Sequence, residues 1–228
     1  MGGKFEIGRI AGLPVVIDAS FILLVVLWGQ HYFTSGNTQL MSAGVVIVIG
    51  IALSILIHEL AHAIVGHYFG VEPSHVELNG MGGLCYWASP MRQEAWPRIA
   101  ISIAGPLSNL ALYFLFKELA AVQGLAGNRM LRNVLLTLSS TNFLLFVFNM
   151  LPAYPLDGGK ALEALIGPVV GALNAIRIIA IFGLMVTAWL VFRAVQGDMF
   201  LLLIAALLGI TNWQALQSAG GPPFQRRN

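Results

Sequence analysis

Six long apolar runs, separated by short polar stretches, set the pattern of this chain. They span about residues 19–34, 41–68, 96–119, 131–151, 174–194 and 199–213. Each reads as a membrane-crossing helix, since a bilayer's ~30 Å hydrocarbon core takes about 20 apolar residues. Two stretches alternate like strands instead. In residues 4–17, Phe5 and Ile7 alternate with Lys4, Glu6 and Gly8 until Gly12-Leu13-Pro14 interrupts the run, which predicts two short strands around a turn. Asp18 follows, placed to cap the first helix through its side chain. Residues 71–96 are too polar to span. Within them Ser74 to Gly80 alternates, Gly80-Met81-Gly82-Gly83 turns and Leu84 to Trp87 is strand-like, so a β-hairpin with aromatic residues at the membrane surface is expected. Gly70 is placed to end the second helix, Pro106 to bend the third, and Gly167-Pro168 to interrupt the chain ahead of the fifth. The pattern describes an all-α polytopic membrane protein of about six transmembrane helices with a small membrane-associated β-sheet or hairpin. Residues 1–228 are expected to form one domain.

Composition strengthens this picture. Hydrophobic residues make up 57%, charged residues 10%, and mean hydropathy is +0.80, whereas soluble chains carry about 25% charged residues. A net charge of +2 gives no basis for nucleic-acid binding. The single cysteine, Cys85, excludes an internal disulfide and a cysteine-built metal site, and reads as a packed thiol. Residues 1–12 carry Lys4, Glu6 and Arg9 and no apolar core, so no cleavable signal peptide is expected.

Chemistry concentrates in the second span, at His58-Glu59-Leu60-Ala61-His62. On a helix, positions four apart lie one turn above each other on the same face. Both imidazoles can then reach one metal ion, with Glu59 close enough to bind or deprotonate a water there. Between Val45 and Val65 these three are the only ionisable residues. Ionisable groups at membrane depth cost roughly 2.5–3.5 kcal/mol on insertion scales, so their presence argues for function over a chance motif or a satisfied buried histidine. His67, near the helix end, reads as interfacial.

A second stretch, Asn149-Met150-Leu151-Pro152-Ala153-Tyr154-Pro155-Leu156-Asp157-Gly158-Gly159, breaks the end of the fourth span. Irregular backbone near membrane depth is tolerated only where it lines a cavity or is buried in protein. Alone, Asp157 before two glycines reads as a turn residue. Beside a His–His pair lacking its third ligand, it reads as that ligand, leaving a fourth position open for water. The Asn149 amide can hydrogen-bond a substrate carbonyl or a developing oxyanion. In the third span, Asn109 needs a partner, and Ala104-Gly105-Pro106 permits close helix packing. The hairpin is either an ordinary interfacial loop or a strand edge on which an extended peptide pairs, its glycines admitting close approach.

Six spans put both termini on one side, with Lys4, Arg9, Arg92, Arg98, Lys160, Arg177, Arg226 and Arg227 against Lys117, Arg129, Arg132 and Arg193 on the other. This bias predicts cytoplasmic termini, with the hairpin and both ligand-bearing segments approaching the cytoplasmic side.

From residue 4 to about 215 the chain resembles the site-2 protease family of intramembrane zinc metalloproteases. The likeness rests on His58-Glu59-Leu60-Ala61-His62, on Ala104-Gly105-Pro106 with Asn109, on Asn149-x-x-Pro152-x-x-x-x-Asp157-Gly158, and on the glycine-rich hairpin. It implies zinc (Zn2+) held by His58, His62 and Asp157, with Glu59 as catalytic acid/base and Asn149 as a substrate or oxyanion contact. Gly82, Gly83, Asn109 and Pro152 are further residues expected to meet substrate. The implied partners are the lipid bilayer and the transmembrane segment of another protein, such as an anti-sigma factor, a membrane-tethered transcription factor or a signal-peptide remnant. The implied location is a prokaryotic plasma membrane. Many members carry a PDZ or CBS domain, for which this chain has no evident segment. Many have a histidine where Asp18 stands, and no catalytic role is expected for Asp18. Two rival readings are a zinc-binding membrane transporter or sensor without proteolysis, for which Glu59 beside a ligand is superfluous, and an inactive scaffold, which would not keep the full residue set.

Overall fold

The computed structural model describes residues 3–92, 94–122, 124, 127–197 and 199–220. Its strands are β1 (Lys4–Ile10), β2 (Leu13–Asp18), β3 (Pro73–Asn79) and β4 (Gly82–Trp87). Its helices are α1 (Phe21–Phe33), α2 (Thr38–Tyr68), α3 (Ala95–Ala121), α4 (Arg129–Asn149), α5 (Asp157–Val170), α6 (Ala172–Ala194) and α7 (Met199–Gly220). Five of them are long and apolar enough to cross a membrane: α2, α3, α4, α6 and Leu201–Gly220 of α7. The chain is thus a multi-pass integral membrane protein. The first apolar run forms only the 13-residue α1, about 20 Å long at 1.5 Å per residue. The expected tail charges Arg226 and Arg227 lie outside the described residues. Two compact units divide the chain, Met1–Met91 with Ala104–Val147, and Arg92–Ile103 with Phe148–Asn228.

In the first unit both expected strand pairs form, and they join into one four-stranded sheet of order β1-β2-β3-β4. The hairpins β1–β2 and β3–β4 are antiparallel, while β2 and β3 pair in parallel, Val15 against Val76 and Ile17 against Leu78. Parallel neighbours need a long crossover, which α1 and α2 supply. Asp18 does not cap α1. Ser20 holds the N-cap position, and the Asp18 carboxylate accepts the Ser20 N–H at 2.8 Å. The core joins Phe21 and Leu24 of α1, Ile47, Ile51 and Ile55 of α2, Leu78 of β3, and Val134 and Leu138 of α4. The four-residue spacing on α2 puts its apolar positions on one stripe. A second cluster, Ala63, Val76 and Cys85 with Leu60 and Trp87, lays the sheet on the C-terminal half of α2. That is the half carrying the two histidines. Gly70, at φ +75, ends α2 as expected, and the Val71 N–H returns to the Gly66 carbonyl at 2.8 Å.

In the second unit Ala153, Leu156, Leu190, Ala205 and Leu208 form the core. The expected break at Gly167-Pro168 falls later. Pro168 lies inside α5, and Gly171, at φ +86, separates α5 from α6. Glycine alone occupies that left-handed region at little cost. The last helix continues beyond residue 213 to Gly220.

Candidate active site

His58, Glu59 and His62 are all buried on α2. The Nε2 atoms of the two histidines lie 3.1 Å apart. Zn–N bonds of about 2.0–2.1 Å in a tetrahedron put two nitrogen donors roughly 3.3 Å apart, so the pair is spaced to share one ion. Gly105 of α3 keeps the space in front of them open. A Cβ there would sit 2.3 Å from His62 Nε2 and 2.5 Å from His58 Nε2. Two imidazole nitrogens facing a clearing that one methyl group would fill fit a zinc ion well. The sequence assigned Gly105 only to helix packing.

Behind His58 lies a buried chain of amides. His58 Nδ1 is 2.6 Å from Asn109 Oδ1, and Asn109 Nδ2 donates to Asn142 Oδ1 at 3.0 Å. Asn142 Nδ2 donates in turn to Ser54 Oγ at 3.0 Å and to the Leu138 carbonyl at 2.9 Å. The partner that Asn109 needed is thus a histidine and a second asparagine. Asn142 and Ser54 escaped sequence reasoning, although an amide inside an apolar span carries the same signal as Asn109: it must be satisfied from a neighbouring element.

Glu59 lies against β4. A Cβ on Gly83 would meet Glu59 Cγ at 2.5 Å and Oε1 at 2.6 Å, so glycine there lets the strand approach the carboxylate. Gly82, at φ +120, opens the same strand, and β4 is the last strand of the sheet. His67 stands away from this face and pairs with Glu72 at 3.1 Å.

The second unit holds the other candidates. Asn149 is the last residue of α4, and Pro152 lies in the short connection that follows. Asp157 is buried in the first turn of α5, where the helix dipole favours a carboxylate, and Lys160 Nζ donates to its Oδ1 at 3.1 Å. The two glycines after it are helical rather than part of a turn. A Cβ on Gly158 would lie 2.3 Å from the Met150 carbonyl oxygen, and one on Gly159 2.6 Å from that of Ala153. They let α5 start directly against the connection.

That connection is held from α7. Asn212 Oδ1 accepts the Tyr154 N–H at 3.0 Å, and its Nδ2 donates to the Tyr154 carbonyl at 2.7 Å. The Tyr154 hydroxyl donates to Glu163 at 2.6 Å, and Glu163 also pairs with Arg98 at 2.7 Å. Burial, then the Glu163 carboxylate, raises the Tyr154 phenol above its usual range, so it remains a donor. Asn212 was also missed, and again a buried amide in an apolar run was its signal.

Comparison with known proteins adds to this geometry. The family described as Peptidase family M50 matches residues 117–192. A zinc metalloprotease of Methanocaldococcus jannaschii is 29% identical over 184 residues, covering 80% of this chain and 51% of the relative. The Bacillus subtilis protein YwhC is 33% identical over 156 residues, covering 55% of this chain and 71% of its own length. Among solved structures, the site-2 protease from Methanocaldococcus jannaschii superposes with a TM-score of 0.68 at 23% identity, covering 94% of this chain and 95% of that one. The chain thus spans about half the length of its archaeal metalloprotease relative.

Proposed function

Because this chain belongs to peptidase family M50, the site-2 proteases, we propose that it hydrolyses peptide bonds within transmembrane segments of other membrane proteins. The observation that carries this reading is Glu59, buried beside a histidine pair spaced for one ion and faced by the Gly105 clearing. His58 and His62 would hold zinc through Nε2, with Asp157 as third ligand. Zinc, when bound, supplies a Lewis acid that acidifies water towards a pKa of about 7 and polarises a carbonyl. Glu59 takes the proton of the attacking water on its carboxylate and returns it to the leaving amine. Asn149 is assigned to the substrate carbonyl, and Pro152 to the substrate-facing wall.

A helical substrate shields its own carbonyls by hydrogen bonding and must be extended before cleavage. Strand β4 suits that role as an edge strand whose Gly83 backbone borders Glu59, so a segment paired with it would bring its carbonyls to the carboxylate. Gly82 and Gly83 are assigned to this contact. Asn109 faces His58 and Asn142, and its role is to support the ligand. In this reading residues 1–228 act as one catalytic domain, crossing the membrane six times with α1 as a short first crossing. Both termini then face the cytoplasm, as the charge bias of Lys4, Arg9, Arg92, Arg98, Lys160 and Arg177 supports. The archaeal and bacterial sources of the relatives support a prokaryotic plasma membrane as the site, and the resemblance to site-2 proteases supports anti-sigma factors, membrane-tethered transcription factors or signal-peptide remnants as substrates.

The test compares purified wild type with Glu59→Gln in detergent, measuring zinc content and cleavage of transmembrane peptides. Zinc in both with cleavage by wild type alone is the expected result. Equal cleavage by both proteins would remove Glu59 from the mechanism, and a wild type without zinc would overturn the metal site.

A further inference from the structure

The amide chain behind His58 has a direction, and that direction can be read from its far end. Ser54 donates its hydroxyl to the Gly50 carbonyl at 2.8 Å, so towards Asn142 it can only accept. The Leu138 carbonyl can likewise only accept. Two acceptors therefore face the same end of the Asn142 side chain, and that end must be its NH2 group. The Asn142 oxygen then points at Asn109 and takes a hydrogen from the Asn109 NH2 at 3.0 Å. This turns the Asn109 oxygen towards His58 Nδ1 at 2.6 Å. An amide oxygen accepts only, so Nδ1 must carry a proton, and in the neutral imidazole the lone pair then lies on Nε2, towards the Gly105 clearing.

We propose that Asn142, anchored by the Leu138 carbonyl and by Ser54, is a positioning residue that acts through Asn109 to lock His58 in the Nδ1–H tautomer, the form that presents Nε2 to a metal. The amides need this polarity from outside, because an asparagine bonded only to a histidine and to another amide could flip together with them and reverse the tautomer. Ser54, His58, Asn109 and Asn142 are each buried, so no water replaces the missing direction when one member is lost. The inference rests on His58 being a zinc ligand, while its key measurement is made without zinc.

The first readout is the 15N spectrum of His58 in metal-free, 15N-histidine-labelled protein, assigned by comparison with His58→Gln. The expected spectrum has a protonated Nδ1 and an unprotonated Nε2, and the reverse assignment would overturn the relay whatever any variant does. The second is zinc affinity by chelator competition. Asn142→Leu is expected to mix the tautomers and weaken zinc about 10–100-fold, the usual range for a lost partner behind a ligand. Asn109→Asp in the Asn142→Leu background presents His58 with a group that accepts through both oxygens. It should restore the single tautomer and most of the affinity. A packing role for Asn142 predicts no such rescue, so a double variant as weak as Asn142→Leu overturns the proposal. A wild type that binds no zinc would instead remove the reading of the site itself.

Discussion

The backbone of Gly83 lies against the carboxylate of Glu59, so closely that a Cβ would stand 2.6 Å from Oε1. Gly83 lies outside the left-handed region, so alanine is compatible with its backbone and acts through contact alone. In Gly83→Ala the new methyl group must push Glu59 aside, because Ile55 Cγ2, 2.8 Å away, closes the other direction. The histidines are untouched. Zinc content should therefore match wild type while peptide cleavage falls about 100-fold, the cost of displacing a reacting group by about 1 Å. Normal cleavage by this variant would mean that Glu59 has room the structure does not show.

Gly105→Ala should do the opposite. Its Cβ would occupy the clearing in front of both Nε2 atoms. The expected result is zinc affinity lowered at least about tenfold, with the protein still inserted and helical by circular dichroism. Zinc binding at wild-type strength would place the ion elsewhere.

Lys4 and Glu77 provide a pH test in the sheet. The Glu77 carboxylate is buried and takes a hydrogen from Lys4 Nζ at 2.6 Å, and this bond holds the Lys4 ammonium above its ordinary pKa. A raised folded pKa stabilises the fold fully below the unfolded value of about 10.4, and that contribution is lost as pH rises through the folded value. Lys4→Met should therefore melt earlier than wild type throughout the neutral range, with the gap closing only in strong alkali. Adding Glu77→Gln should recover part of the loss, since the stranded buried carboxylate is then gone. A gap already closed at pH 8 would show that the pair contributes nothing.

How much of this was legible in the chain follows from how local each signal is. The five long helices, the two strand pairs and the histidine motif were readable because hydrophobic period and i, i+4 spacing are properties of neighbouring residues. The parallel pairing of β2 with β3 joins segments separated by two helices, and nothing in either strand announces it. Gly105 looked like a packing glycine because its partners, His58 and His62, lie more than forty positions earlier. Gly167-Pro168 carried the stronger breaker signal, yet the chain turns at Gly171, where the positive φ is needed. Asn142 and Asn212 were visible as amides in apolar runs, but which carbonyl or side chain each serves depends on packing that only the fold supplies.

Asn212 leads to the last prediction. Its side chain bonds both the N–H and the carbonyl of Tyr154, three residues before Asp157. Removing it takes the hydrogen-bond partner from two part-buried backbone groups, at a cost of about 1–3 kcal/mol for each. Asn212→Leu should therefore lower stability by about 2–6 kcal/mol and loosen the connection that precedes Asp157; with Asp157 as the proposed third ligand, zinc content is expected to fall along with thermal stability. Gly183→Ala reaches the same bond from α6, because its Cβ would overlap Asn212 Oδ1. The two variants should therefore weaken zinc in the same direction. In contrast, Glu59→Gln should melt close to wild type and keep its metal. Thermal melting in detergent with zinc measured on each sample separates these outcomes. If Asn212→Leu loses stability but binds zinc normally, the anchor holds the fold without setting the position of Asp157.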